Sequence, residues 1–347
     1  MEQKSNQTKH ILNSDLIGMK QIFLIFFTLT IFSQCSQQKP SYREDGFIRT
    51  EDEVALYYQR VGTGAEVVII PAGMYLADEF NQLHNNTRMI IFYDQRGRGH
   101  SSTIDDTNKL GIEYEIADLE AVRNYFQFEQ ISLIGWSYAG AIAAVYAIKY
   151  PQYVKRVIQI GSIPPCKQDF WEKSVRTKSS RLGEEEKKEI DAVYKNYSGS
   201  NDTGEFIKQF YQIAHRPIFY GEVIENKFRD DFYELENERP DNVWKFILPA
   251  IIKSMGDWDF RDKLKQIKIP FLTIHGTYDP IPTASAEEWS RTLPNGRLLV
   301  IEDAGHFPWL EKPEQFYIAV DQFLSGSWPN NAIIVQNQNF DTEKYDP

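Results

Sequence analysis

Four short, largely apolar runs punctuate the first half of the chain: Val67-Val68-Ile69-Ile70, Met89 to Tyr93, Ile131 to Ile134 and Val154 to Ile160. A strand with one wet face alternates apolar and polar residues, whereas a run that stays apolar is buried on both faces. Helical patterns lie between these runs. Tyr114 to Phe126 carries its charges on one face, and Ala139 to Ile148 is rich in alanine. Buried strands alternating with helices imply parallel βαβ units and a doubly wound α/β sheet. Ahead of them, Phe47 to Arg49 and Val54 to Val61 read as the strands of a hairpin, closed off by the turn Gly62-Thr63-Gly64.

The rhythm stops at Gly161. Residues 163–266 hold charge runs such as Glu184-Glu185-Glu186-Lys187-Lys188, many aromatics and no buried strand. This segment is expected to be a helical cap inserted into the sheet. The pattern resumes with the strand Phe271 to Ile274, a helix near Ala284 to Thr292, the strand Arg297 to Ile301 and a helix from Pro313 to Leu324. The core is thus expected over 45–162 and 267–326, followed by a loose polar tail over 327–347. A chain of 347 residues, 42% hydrophobic and 25% charged, can bury such a core and carry the insertion.

The N-terminus carries a different signal. Gln21 to Ser33 is apolar nearly throughout and follows Lys20. It is shorter than the ~20 residues of a transmembrane helix and matches the apolar region of a signal peptide. Met19 reads as the true start, with 1–18 an extension. Phe32-Ser33-Gln34-Cys35-Ser36 resembles a bacterial lipoprotein signal, although that signal favours a small residue where Gln34 stands. The resemblance implies lipidation of Cys35, a tether over 36–44 and a membrane-anchored place in the cell envelope. Cys166 would then stay unpaired. A net charge of −11 repels phosphate backbones, so nucleic acid is not an expected partner. The sequence shows neither a metal-ligand cluster nor a dinucleotide fingerprint, so no cofactor or metal is expected.

The chemistry concentrates in Leu133-Ile134-Gly135-Trp136-Ser137-Tyr138-Ala139-Gly140. A buried strand runs through a Gly-x-Ser-x-small turn straight into a helix, the setting of a nucleophile elbow. The turn is tight, so the positions two before and two after the serine must be small, as Gly135 and Ala139 are. A serine nucleophile needs an imidazole base and a carboxylate to orient that base. In an elbow of this kind the acid and then the histidine follow the serine in chain order. Asp279 lies in the loop after the resumed strand, whereas the alternative loop, Gly161 to Pro165, has no carboxylate. Of six histidines only His306 follows Asp279, 27 residues later, room for one helix and one strand.

Gly-Trp-Ser-Tyr-Ala-Gly, Gly-Thr-Tyr-Asp-Pro and Ala-Gly-His-Phe-Pro-Trp-Leu-Glu-Lys-Pro-Glu resemble the α/β-hydrolase superfamily over residues 45–326. The resemblance implies an eight-stranded, mostly parallel sheet with a cap. It also implies oxyanion donors at the N–H groups of Tyr138 and Gly73, with Met74 as the alternative; Pro71 cannot donate. Trp136 is expected to touch substrate. Phe92 to Ser101 is similar to a loop of the prolyl-aminopeptidase branch, where Arg96 is expected to form a structural ion pair. That branch carries His-Gly-Gly-Pro-Gly where this chain has Pro71-Ala72-Gly73-Met74-Tyr75, and Gly-Gly-Ser-Trp-Gly at the elbow.

The cap is rich in aromatics, among them Phe170, Trp171, Phe210, Tyr211, Trp244 and Trp258. They suit a bulky, partly apolar small-molecule substrate. The expected activity is therefore hydrolysis of a carboxylic ester, including a large one or a lactone such as a macrolide. Two alternatives stand beside it: an aminopeptidase for N-terminal proline, which needs cap carboxylates to hold the substrate amine, and a non-catalytic ligand-binding lipoprotein.

Overall fold

The computed structural model describes residues 42–197, 203–221 and 234–335. The expected export signal with Cys35, the expected tether as far as residue 41 and the tail from 336 onward lie outside the described residues. No described helix is long and apolar enough to cross a membrane.

Eight strands form one sheet: β1 (Arg43–Arg49), β2 (Ala55–Val61), β3 (Glu66–Pro71), β4 (Arg88–Tyr93), β5 (Ile131–Trp136), β6 (Val154–Ile160), β7 (Phe271–Gly276) and β8 (Gly296–Ile301). Their order across the sheet is β1-β2-β4-β3-β5-β6-β7-β8. β1 and β2 pair antiparallel with their neighbours, and β3 to β8 run parallel. The chain leaves β3 toward β4 on one side and returns to β5 on the other. The crevice at such a reversal, outside the carboxyl ends of the strands, is where open α/β sheets build their sites. Here it opens between the ends of β3 and β5, beside Gly73 and Ser137.

Helices cover both faces. Three lie between the early strands: α1 (Gly73–Phe80), α2 (Ile112–Tyr125) and α3 (Tyr138–Lys149). The described part of the insertion holds α4 (Lys167–Arg181), α5 (Glu184–Tyr197), α6 (Thr203–Ala214) and α7 (Leu248–Met255), the last continuing a π-turn at Val243–Ile247. The core then adds α8 (Thr283–Thr292) and α9 (Pro313–Leu324). Alternate residues of β3 reach opposite layers. Val68 and Ile70 join the layer with α1, α6 and α9, whereas Val67 and Ile69 join the one with α2 and α3. Each fully buried Ile or Val contributes roughly 1.5–3 kcal/mol of transfer free energy, which is why the apolar runs are strands with two dry faces.

The segment after Gly326 departs from the expectation of a loose tail. Leu298 and Ile333 exchange backbone hydrogen bonds of 2.9 and 2.8 Å, and Ala332 and Val335 are buried. β8 is an edge strand with unpaired backbone groups, and this short bridge covers part of that edge.

Candidate active site

Ser137 joins β5 to α3 with φ 56° and ψ −125°, a left-handed conformation that is strained for a residue with a side chain. Gly135 permits the turn: a Cβ there would stand 2.3 Å from the Ala139 carbonyl oxygen. The Ser137 N–H donates to Ile160 O at 2.9 Å and the Ile163 N–H donates back to Ser137 O at 3.3 Å, so the elbow is fastened to the end of β6. The serine hydroxyl thus stands at the head of a helix whose first N–H groups have no acceptor within the helix.

The carboxylate and imidazole meet beside it. His306 Nδ1 lies 2.7 Å from Asp279 Oδ2, and Asp279 Oδ1 accepts from the Ile281 N–H at 2.8 Å. Burial by itself would raise the Asp279 pKa, but the His306 imidazole and these hydrogen bonds hold it below the usual carboxylate value. The pair rests directly on Gly161 at the end of β6. Gly161 has φ +49°, and a Cβ there would come within 2.6 Å of Asp279 Oδ2 and 2.9 Å of His306 Nδ1. The ends of three adjacent strands, β5, β6 and β7, therefore carry Ser137, the floor and Asp279 respectively.

The loop after β8 presents His306. Its N–H donates to Ile218 O of the cap at 2.8 Å, and the Glu311 carboxylate accepts from the N–H groups of Gly305 and Tyr220. Trp136 lies beside the imidazole. It is 9% exposed, its indole N–H donates to His306 O at 3.0 Å, and its ring packs against Tyr75, His306, Phe307 and Trp309. Trp136 thus packs against the imidazole and holds the loop that carries it. Among the described residues no hydrogen bond joins the Ser137 hydroxyl to the imidazole; in free hydrolases this contact is often long and tightens with substrate.

Tyr138 opens α3, and Gly73 and Met74 open α1 on the neighbouring strand end, so the N–H groups of all three lack intrahelical acceptors. Ala72, in the left-handed conformation at φ 68°, turns the chain from β3 into α1 and brings these donors to the crevice. Two convergent N–H groups beside a serine suit an oxyanion.

Three groups that sequence reasoning did not single out surround this centre. Arg98, after β4, is buried and binds the equally buried Glu238 of the cap through two hydrogen bonds of 2.9 and 2.7 Å. Glu238 also accepts from the Gly99 N–H at 2.8 Å and from the Tyr75 hydroxyl at 3.3 Å. Lys178 of α4 places its ammonium 4.2 Å from the Trp244 ring centroid; burial pushes its pKa down to about 8, and the Asp279 charge opposes that shift. His215 is buried against Tyr211 and Phe307, and its pKa is pushed down to about 3, chiefly by burial and then by Lys178 and His306. The sequence does not show the Arg98–Glu238 and Lys178–Trp244 contacts, because each joins residues far apart along the chain. Arg96 does form the expected structural ion pairs, with Asp118 at 2.6 Å and Asp52 at 3.0 Å. Among the described residues no cluster of three or more His, Cys, Asp or Glu side chains could hold a metal ion.

A strained serine at a strand-to-helix turn, with a buried Asp–His pair in the loops after β7 and β8, is the arrangement of a hydrolase-type site on a doubly wound sheet. Residues 70–313 match the alpha/beta hydrolase fold family (Abhydrolase_1), and the chain belongs to it. Over 258 residues it is 26% identical to the proline iminopeptidase of Saccharolobus solfataricus, covering 70% of this chain and 78% of that protein. Among solved structures it is similar to the proline iminopeptidase of Mycobacterium smegmatis, with a TM-score of 0.61, 20% identity, and 81% and 98% of the two chains covered. An esterase from Exiguobacterium antarcticum gives the same TM-score and identity over 82% and 100% of the two chains.

Proposed function

We propose that this chain is a serine hydrolase that cleaves a carboxylic ester through Ser137, His306 and Asp279. The observation that carries the proposal is the 2.7 Å Asp279–His306 pair, seated over Gly161 beside the strained serine elbow. In this mechanism His306 takes the proton of the Ser137 hydroxyl as the oxygen attacks the carbonyl carbon. Asp279 fixes the tautomer that leaves Nε2 free and stabilises the imidazolium. The developing oxyanion is held by the N–H groups of Tyr138 and Gly73. His306 then protonates the departing alkoxide, and water, activated by the same imidazole, releases the acyl group from Ser137.

A second reading, release of N-terminal proline, is favoured by the names of the sequence relatives. It requires carboxylates free to bind an ammonium group. The buried cap carboxylate beside the site, Glu238, already neutralises Arg98, and the cation Lys178 lies near the triad. Both features support an ester over an aminopeptidase substrate. Assays of p-nitrophenyl esters and proline p-nitroanilide with the native chain and Ser137→Ala decide the matter. Ester turnover lost in Ser137→Ala is the expected result; turnover of the anilide alone would establish the peptidase, and activity surviving in Ser137→Ala would remove the triad reading. For residues 1–41 the proposal is export with lipidation at Cys35, and an unmodified mature N-terminus beyond residue 35, read by mass spectrometry, would refute it.

A further inference from the structure

Glu311 takes no part in the triad chemistry, yet its carboxylate grips the loop that presents the base. It closes the short helical turn Pro308–Glu311, which follows His306 directly. One carboxylate oxygen accepts from the Gly305 N–H at 2.8 Å and the other from the Tyr220 N–H at 2.5 Å. Gly305 is the residue before His306, and Tyr220 belongs to the cap. A single side chain therefore ties the loop of the base to the cap through two charge-assisted hydrogen bonds. Burial pushes the Glu311 pKa up, and the N–H groups of Tyr220, Gly305 and Phe307 oppose that rise. Two of these three donors flank His306.

The loop has few other means of holding its place. Gly305 has no side chain to anchor it and no room for one, since a Cβ there would stand 2.2 Å from Ile218 O. The backbone of His306 itself is held from two sides, by its N–H bond to Ile218 O at 2.8 Å and by the Trp136 indole on its carbonyl oxygen at 3.0 Å. The cap segment 218–220 thus meets the loop twice, once directly and once through Glu311. The same segment touches the acid's loop, where the Tyr220 and Tyr278 rings lie 5.7 Å apart. An imidazole that must keep its 2.7 Å contact with Asp279 and still address a hydroxyl tolerates little movement. A misplacement of about 1 Å in such a group costs about 10²-fold in rate.

We propose that Glu311 is a positioning residue for the base: its carboxylate, shared between the N–H groups of Gly305 and Tyr220, sets the imidazole of His306 and makes that setting depend on the seated cap. The proposal rests on the reading of His306 as the base that serves Ser137. It extends that reading to a residue that touches neither substrate nor triad and acts through the backbone.

The test uses the full chain with Glu311→Gln, which keeps the volume but turns one acceptor into an NH2 group facing an N–H donor. For p-nitrophenyl butyrate kcat should fall roughly 10²-fold while KM changes little, because the base is displaced and the binding surface is not. For ethyl butyrate kcat/KM should fall further still, since its alkoxide needs a proton from the imidazole and p-nitrophenolate does not. Glu311→Asp, too short to span both donors, should show the same pattern. Native kcat in Glu311→Gln overturns the proposal, because a residue that only fills space is replaced by glutamine without loss. A residue that only supports folding would lower the unfolding midpoint and the fraction of sites labelled by a fluorophosphonate. It would leave turnover per labelled site and the ratio between the two esters unchanged, and that result also overturns the proposal. Failure of the underlying hydrolase reading looks different: ester turnover absent from the native chain, or surviving in Ser137→Ala.

Discussion

At the scale of single residues, the site depends on a few atoms that have no room to move. In the proposed mechanism Asp279 acts through one contact, its 2.7 Å bond to His306 Nδ1. Asp279→Asn keeps the shape but can hold the imidazole in the wrong tautomer, so kcat for ester hydrolysis should fall about 10⁴-fold with little change in the unfolding midpoint. A loss below about tenfold, measured with p-nitrophenyl acetate, would show that the carboxylate does not serve the serine. Gly161→Ala tests the floor beneath the pair. The residue sits at φ +49°, and its new methyl group would meet Asp279 Oδ2 at 2.6 Å. Stability should drop by about 1–3 kcal/mol for the left-handed alanine alone, and activity should fall further because the imidazole is displaced. Urea denaturation and kcat, measured on the same protein, separate the two effects.

At the scale of elements, the sheet and its helices were legible because burial acts locally in sequence. Each apolar run became a strand, and Gly135, Ser137 and Ala139 marked the elbow through a steric demand that a short motif can express. The cap's contribution was not legible. Ser254, near the end of α7, accepts from the Ile112 N–H at 2.9 Å and so starts α2 two residues before the expected Tyr114. The packing of Trp136 was not legible either, because its indole partner is a backbone oxygen 170 residues away. The Arg98–Glu238 pair likewise joins residues 140 apart and locks the cap to the loop after β4. Removing one partner leaves a bare charge in a dry place, so Arg98→Met should cost about 3–5 kcal/mol. Arg98→Met combined with Glu238→Leu should recover a large part of that loss, since two apolar side chains can replace a buried ion pair. Additive losses in a double-mutant cycle would show that the two residues act independently.

At the scale of the whole molecule, two buried groups pull stability in opposite directions as pH changes. Glu115 lies beneath the elbow helix, near Asp118, Arg96 and Gln95, and its pKa is pushed up to about 8, chiefly by burial and then by the Asp118 charge. Raised in the folded state, it favours the fold fully below its ordinary value of 4.5, and that contribution disappears as pH rises through about 8. His215 has the reverse sign. Its folded value of about 3 lies below the ordinary 6.5, so its contribution is complete above 6.5 and is lost as acid protonates the unfolded chain. Asp279, also lowered, adds to the acid side. Stability should therefore peak between these limbs and decline toward pH 9. A net charge of −11 offers a rival explanation for the alkaline decline, through general repulsion. Glu115→Gln distinguishes them, because it keeps the shape of the protonated carboxyl and has no proton to lose. The variant should gain about 1 kcal/mol or more over the native chain at pH 9 relative to pH 6. The gain should persist at high salt, where surface repulsion is screened and a buried group is not. An alkaline limb that flattens with salt and is unchanged by Glu115→Gln would assign the decline to the surface and remove Glu115 from the account.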